Sequence, residues 1–81
     1  MSAELRLFAG AREAAGCTSA ATEGATVAEV LELARRQFGP EFARVLTTCR
    51  VWLNGQPADP DDAVGTGDEV AILPPVSGGL N

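Results

Sequence analysis

The positions of apolar residues along the chain predict five short strands and one long helix. Two-residue alternation, typical of strands with one buried face, marks the first and last of these strands most clearly. The predicted strands cover residues 4–8, 18–23, 50–53, 56–58 and 69–73. The pattern also predicts a helical turn at 11–16, a long helix between Thr26 and Gly39, and a short helix that opens at Pro40. Asn54-Gly55 indicates a tight turn after the third strand, and residues 59–67, rich in Asp, Pro and Gly, are expected to be loop.

The long helix has the strongest local signals. Thr26 and Glu29 have the spacing of a capping box, in which both side chains accept hydrogen bonds from free backbone N–H groups. Behind this cap, the apolar residues that share one helical face are Val27, Val30, Leu31, Ala34 and Phe38. Glu32 and Arg36 lie one turn apart on the outer side and can form an ion pair. An amphipathic helix of this kind is expected to pack its apolar stripe against a sheet.

Strand alternation also separates two sets of apolar residues. The set expected to face the helix is Leu7, Val51, Leu53, Val70 and Ile72. Phe8, Trp52 and Leu73 are expected on the opposite side, where they would form an exposed apolar patch suited to a protein partner. Two alternatives remain open: the short helix near Phe42 covers part of this patch, or the strands pair in a different register.

The element order predicts an α+β fold of the ubiquitin-like β-grasp class. In that fold a mixed sheet wraps around one main helix, and the first and last strands are adjacent and parallel. Pro74 and Pro75 stop the last strand, because neither can donate a hydrogen bond to a neighbouring strand. We therefore expect one domain over residues 1–75 and a flexible C-terminal tail over 76–81, which carries Gly78-Gly79.

The composition leaves little catalytic chemistry to the chain alone. It has no histidine, lysine or tyrosine, so the usual acid–base group near neutral pH and a Schiff-base nucleophile are missing. Cys17 and Cys49 lack the spacing of a zinc site; they are expected to be buried or half-buried thiols, with a disulfide or a reactive thiol as the alternative. No metal site is predicted.

The charge pattern bears on the class of partner. The net charge is −5, and the six basic residues are scattered arginines, which argues against a nucleic-acid partner. An acidic surface is better suited to docking on a basic protein. No apolar run approaches the ~20 residues that cross a bilayer, and the N-terminus lacks a signal-peptide pattern. A cytoplasmic protein without membrane contact is expected.

The tail has a composition suited to a narrow channel. Paired glycines do not stabilise a fold, because they lose backbone freedom when fixed, but without Cβ atoms they can thread where other residues cannot. Extended at ~3.3 Å per residue, residues 75–79 would reach about 16 Å, enough to enter a partner's active site. The alternative is an ordinary frayed terminus.

Two segments carry a resemblance to a known family. The segments Leu7-Phe8-Ala9-Gly10-Ala11-Arg12-Glu13 and Asp68-Glu69-Val70-Ala71-Ile72-Leu73-Pro74-Pro75-Val76-Ser77-Gly78-Gly79 resemble the sulfur-carrier family of the MoaD and ThiS type. The resemblance covers essentially the whole chain. The Pro-Pro-Val-x-Gly-Gly ending and the extra short helix are most similar to the small subunit of molybdopterin synthase.

The resemblance implies a non-catalytic carrier subunit. An adenylating enzyme would use ATP to activate the carboxylate of Gly79, a persulfide donor would convert it to a thiocarboxylate, and the large subunit of molybdopterin synthase would pass the sulfur to a pyranopterin. Gly79 is then the reacting residue. The residues expected to contact partners are Gly78, Ser77, Val76, Pro75, Phe8, Trp52 and Leu73. No cofactor is expected to bind stably to this chain.

Leu80 and Asn81 depart from the family pattern, in which the second glycine is the last residue. An amide at Gly79 cannot be adenylated, so this form would be inactive until trimmed. The two residues could be a cloning remnant, a native extension that a protease removes, or the mark of a relative without carrier function. The rival functions are a carrier for thiamine or cysteine synthesis and a plain β-grasp binding domain.

Overall fold

The computed structural model describes residues 2–75, which form five strands and three helices. The strands are β1 (Ala3–Leu7), β2 (Ser19–Thr22), β3 (Arg50–Leu53), β4 (Gln56–Pro57) and β5 (Glu69–Leu73). The helices are α1 (Ala9–Ala15), α2 (Val27–Phe38) and α3 (Pro40–Leu46). The predicted elements are all present, with boundaries shifted by one or two residues.

The strands form one mixed sheet in the order β2-β1-β5-β3-β4. β5 is central: it pairs parallel with β1 and antiparallel with β3. The parallel pairing of the first and last strands was predicted from the β-grasp order and is confirmed. This arrangement sends the chain from the middle of the sheet directly toward the C-terminal residues.

The core lies on one side of this sheet. Leu5, Leu7, Val70 and Ile72 point from the two central strands toward the helices and are at most 2% exposed. The helical residues packed in the same cluster are Ala11, Val27, Val30, Ala34, Phe42 and Leu46. Val51 and Leu53 are half-buried against it, so every strand residue predicted to face the helix does so.

The start of α2 is capped by both its own residues and the loop before β5. The Thr26 hydroxyl accepts from the Glu29 N–H at 3.1 Å, as predicted. The Glu29 carboxylate accepts from the N–H of Ala25 at 2.6 Å, one residue before the cap. The next two helical N–H groups, of Val27 and Ala28, donate to carbonyls of the 59–67 loop. These bonds satisfy donors that a helix N-terminus cannot satisfy internally, and they anchor the loop.

The helix after β1 begins two residues earlier than predicted. The helical turn was predicted to start at residue 11, but Gly10 already lies inside α1. Ala9 makes the turn instead, with φ of 50°, and Phe8 is the N-cap. The Phe8 N–H still bonds to the carbonyl of Ile72 at 3.1 Å, so the sheet pairing extends one residue past β1.

The alternative in which the short helix covers the Phe8–Trp52–Leu73 patch is not what the structure has. Phe42 of α3 is completely buried in the core, and its ring centroid is 5.1 Å from that of Phe38 at the end of α2. α3 packs against α1 and α2. The helices therefore occupy the core side, and the other face of the sheet is left free by the described residues.

Candidate functional site

The candidate site begins where β5 ends. Leu73 is its last residue, and the exposed Pro74 and Pro75 follow it. Since β5 lies between β1 and β3, hydrogen bonds on both sides hold the strand up to the point at which the chain leaves the sheet. The predicted tail residues lie outside the described residues: Val76, Ser77, Gly78, Gly79, Leu80 and Asn81.

Phe8 and Leu73 lie side by side at this end of the sheet. The parallel register pairs Leu7 with Ile72, so the next residue of each strand, Phe8 and Leu73, occupies adjacent positions on the face away from the core. Neighbouring strands are ~4.8 Å apart, which brings these two side chains within reach of each other. Phe8 is 37% exposed and Leu73 is half-buried.

Trp52 completes the group from the other side of β5. It pairs with Ala71 in the antiparallel register, and directly opposed residues point to the same face of a sheet. Leu73 is the diagonal neighbour of Trp52, and the small Ala71 side chain leaves room for the half-buried indole. The structure thus brings Phe8, Trp52 and Leu73 to one face; we call this side of the sheet the open face.

The open face also contains residues that the sequence patterns did not single out. Ala71 is at its centre, Arg6 pairs with Ala71 across the β1–β5 ladder, and Arg50 pairs with Leu73. Because strand residues two apart point to the same face, alternation alone already predicts that Arg6 shares the face of Phe8 and that Arg50 shares the face of Trp52. Only the register, which depends on contacts distant in sequence, shows that Arg50 is next to the end of β5.

The depressions on the described surface lie away from this end of β5. Two open depressions of about 410 Å³ each lie elsewhere, one along β2 and the start of β5 and the other between β2 and α2. Within residues 2–75 no group of three or more metal-binding side chains comes together. None of the helices in that part of the chain is long and apolar enough to cross a membrane.

The two cysteines are free thiols, as predicted. Both are half-buried at the edge of the core. Partial burial raises the pKa of the Cys49 thiol, although a hydrogen bond with Thr48 acts in the opposite direction. The Cys49 thiol also donates to the carbonyl of Val45 at 3.4 Å. A raised pKa disfavours the reactive thiolate, so Cys49 is better explained as a packing residue.

Comparison with known proteins agrees with this architecture. The ThiS family matches residues 5–79 of the chain. The structure of SAMP1 from Haloferax volcanii is 33% identical, with a TM-score of 0.82, over 98% of this chain and 100% of that one.

Two solved complexes also contain similar chains. The BexX/CysO complex of Amycolatopsis orientalis matches at 24% identity and a TM-score of 0.78, over 96% of this chain and 100% of that one. The complex of subunits 1 and 2 of the molybdopterin-converting factor from Helicobacter pylori 26695 matches at 24% identity and a TM-score of 0.75, over 98% and 100%. Because the family match covers nearly the whole sequence, this chain belongs to the ThiS family, the ubiquitin-like sulfur carriers and modifiers of the ThiS and MoaD type.

Proposed function

We propose that this protein is the sulfur-carrier subunit of a molybdopterin synthase and that it works through the carboxylate of Gly79. The observation that carries the proposal is the central position of β5. The strand is held on both sides and leads from the open face into Pro74-Pro75 and the Val-Ser-Gly-Gly segment. A docked globular domain could then direct its terminus into a partner's active site.

The reaction steps belong to partner enzymes. The Gly79 carboxylate attacks the α-phosphorus of ATP in the adenylating enzyme, and pyrophosphate leaves. The terminal sulfur of a persulfide donor attacks the acyl carbon, and AMP leaves with the electron pair of the broken C–O bond. A second thiol then attacks the donor sulfur of the resulting acyl disulfide, which forms a new disulfide and leaves a thiocarboxylate on Gly79. In the large synthase subunit, this thiocarboxylate supplies sulfur to the pyranopterin precursor, and hydrolysis restores the carboxylate.

This division of labour is consistent with the residues of the chain. Histidine, lysine and tyrosine are missing from the sequence, so an ATP site or an acid–base pair near neutral pH is better provided by a partner. The chain's part is to present its terminus and to dock through the open face. The relatives that were solved in complex with another protein support such partnering.

ATP–pyrophosphate exchange tests the proposal directly. A chain that ends at Gly79 should be activated by the cognate adenylating enzyme, and its mass should rise by about 16 Da when persulfide sulfur replaces one oxygen. The full chain ending at Asn81 is the matched control and should be inert. If the chain ending at Gly79 showed no exchange, or if the protein isolated from its own cell always ended at Asn81, the carrier proposal would fail.

The pathway is tested by the partner that co-purifies. A molybdopterin-synthase large subunit bound to the carrier would support the proposal, whereas a thiazole-forming or cysteine-forming enzyme in its place would assign the carrier to thiamine or cysteine synthesis.

A second candidate function is protein modification, favoured by the 33% identity to an archaeal modifier protein. In that case an isopeptide bond should join Gly79 to a lysine of another protein, which mass spectrometry of tryptic fragments would detect.

A further inference from the structure

The end of β5 has backbone of the same chain on both sides. Leu73 pairs with Arg50 of β3 in the antiparallel register. On the other side, the N–H of Phe8, one residue beyond β1, donates to the carbonyl of Ile72 at 3.1 Å. Both neighbours are therefore still in place at the last residue of β5, and the register itself would allow residues 74–75 to continue the strand.

On the β1 side, a continued strand would bond to the carbonyl of Phe8. In a parallel ladder, a residue that donates to one residue of the neighbouring strand accepts from the residue two positions further along that strand. Phe8 donates to Ile72, so its carbonyl would accept from Pro74, which has no N–H. This carbonyl accepts instead from the N–H groups of Ala11 at 3.1 Å and Arg12 at 3.4 Å. The first turn of α1 thus uses the acceptor, and the proline adds no competing donor.

On the β3 side, a continued strand would bond to Thr48. In an antiparallel ladder, only every second pair of opposed residues exchanges N–H···O bonds. The Asn54 N–H donates to the carbonyl of Glu69 at 2.9 Å, and steps of two residues along the register lead from this pair to position 75 opposite Thr48. Position 75 is again a proline without an N–H. The Thr48 N–H is already used, because it donates to the carbonyl of Val45 at 3.0 Å in the turn after α3.

The two consecutive prolines fit the central position of β5 in the sheet. Successive N–H groups of a strand point alternately toward its two neighbours, so a single proline removes a donor on one side only. An edge strand, with one bonded neighbour, can be ended in that way. β5 has β1 on one side and β3 on the other, and Pro74 and Pro75 remove one donor on each side.

We propose that Pro74 and Pro75 are positioning residues of the carrier: each removes the N–H that would fasten the chain to a different neighbour of β5, so that the chain leaves the sheet at Leu73. This inference rests on the proposed carrier function and adds which residues set the length of chain that a partner can take up. Extended at ~3.3 Å per residue, the segment from position 74 to Gly79 would span about 20 Å. A residue that is bonded to β1 or β3 does not at the same time lie in a partner's channel.

Restoring the missing donors tests the structural half of the inference. Pro74→Ala, Pro75→Ala and the double variant are made in the chain ending at Gly79. We expect the amide at position 74 to bond to the Phe8 carbonyl and the amide at position 75 to the Thr48 carbonyl. Each should exchange its hydrogen at least about threefold more slowly than in a short peptide of the same sequence, and scalar couplings across the hydrogen bond identify the acceptor. Amides at both positions that exchange as fast as in the peptide would overturn the inference.

ATP–pyrophosphate exchange with the cognate adenylating enzyme tests the functional half. The double variant should raise the KM for the carrier at least about fivefold, because the added bonds break before the tail enters the enzyme. The kcat should stay within about twofold of the wild type, since the Gly79 carboxylate itself is unchanged. The Tm of the double variant should be equal to that of the wild type or higher. A purely structural role of the prolines would instead lower the Tm and leave KM unchanged.

An ester analogue separates the missing N–H from the proline ring. Lactic acid has the side chain of alanine but an ester oxygen in place of the N–H. Cys49 is a native junction for chemical ligation, so a thioester of residues 1–48 can be joined to a synthetic peptide of residues 49–79 with lactic acid at positions 74 and 75. We expect this chain to have a KM within about twofold of the wild type assembled in the same way, because it also lacks both donors. A KM as high as that of the double alanine variant would assign the effect to the rings and overturn the inference.

The outcomes distinguish this inference from the carrier proposal. A double alanine variant that is adenylated with the wild-type KM would overturn the positioning role and keep the carrier proposal. A wild-type chain ending at Gly79 that supports no exchange would overturn the carrier proposal and the functional half of the inference, while the amide measurements still decide whether the prolines end β5.

Discussion

Trp52 shows how one residue's role depends on its face of the sheet. It is flanked in sequence by Val51 and Leu53, which pack against the core, yet it points to the open face with Ala71 and Leu73. Large aromatic side chains in such positions commonly supply much of the binding energy of an interface. Its half-buried state is compatible with an indole that rests on the sheet and keeps one side free for a partner.

Replacing Trp52 with alanine should therefore affect binding more than folding. We expect W52A to weaken binding to the adenylating enzyme by about 2 kcal/mol or more, the range of an interface hot spot. The free energy of unfolding should fall by less than about 1 kcal/mol, because the residue is outside the core. Calorimetric titration and chemical denaturation measure the two quantities on the same sample.

The neighbouring variant L53A is the matched control. Leu53 faces the core, so L53A should lower the free energy of unfolding by about 2 kcal/mol and leave the affinity of the folded protein unchanged. A W52A protein that loses stability while its binding is intact would refute the assignment of Trp52 to the docking surface.

At the scale of elements, side-chain hydrogen bonds connect the β3–β4 turn to the start of β5. Asn54 accepts from the Glu69 N–H at 2.9 Å and donates to the Asp68 carboxylate at 3.1 Å. The other Asp68 oxygen accepts from the Gly65 N–H at 2.8 Å. These bonds connect a tight turn, a loop and the central strand, and they hold the start of β5 in register.

This network predicts a pH-dependent contribution from Asp68. The hydrogen bond from Gly65, and secondly that from Asn54, lowers the pKa of the Asp68 carboxyl. A lowered pKa in the folded state contributes stability at pH values above the unfolded pKa of about 3.9, and this contribution is lost as pH falls through the folded value. The Tm of D68N should thus be below that of the wild type at pH 7, and the difference should narrow below about pH 4.

Thermal unfolding of D68N and D61N between pH 7 and pH 2 checks this expectation. Asp61 lies in the same exposed loop and has no side-chain hydrogen bond within the described part of the chain, so D61N matches the charge change without breaking a bond. A D68N difference that stayed constant from pH 7 to pH 2 would contradict an ionised Asp68 as the source of the stability.

For the whole molecule, the decisive feature is that the buried apolar core of residues 2–75 lies on one side of the sheet. A chain of this size buries only about 60% of its unfolded surface, so it has material for one core. Phe42 is completely buried in that core and is the largest side chain there. Phe8, with the same side chain, is on the open face and is 37% exposed.

The two phenylalanines provide a paired test of this one-sided design. F42A should lower the free energy of unfolding by about 3–5 kcal/mol, through lost burial and the cavity that remains. F8A should lower it by less than about 1 kcal/mol, because little buried volume is removed. Guanidinium denaturation of both variants measures the difference, and similar losses from the two would mean that the open face is packed in solution.

Much of the local structure could be predicted because its causes are local. The N-cap of α2 needs only Thr26 and Glu29, and the turn at Asn54-Gly55 needs only residues that tolerate positive φ, which both adopt here. The start of α1 was predicted two residues too late, because a glycine such as Gly10 usually interrupts regular secondary structure. Here Ala9 makes the turn instead. The residues around Ala9 do not indicate where the helix begins, because the Phe8 N–H donates to the carbonyl of Ile72, which is 64 residues away.

The sequence by itself determined the strand faces, the main helix and the presence of a Gly-Gly segment after the last strand, because periodicity and turn chemistry act over a few residues. Only the tertiary structure decided which faces meet. The pairing of β5 with β1 and β3 places Leu73 beside Phe8 and Arg50, and it brings the uncovered side of the sheet to the point where the chain leaves it. Strand register and packing depend on contacts between residues that are distant in sequence, so composition and local spacing cannot predict them.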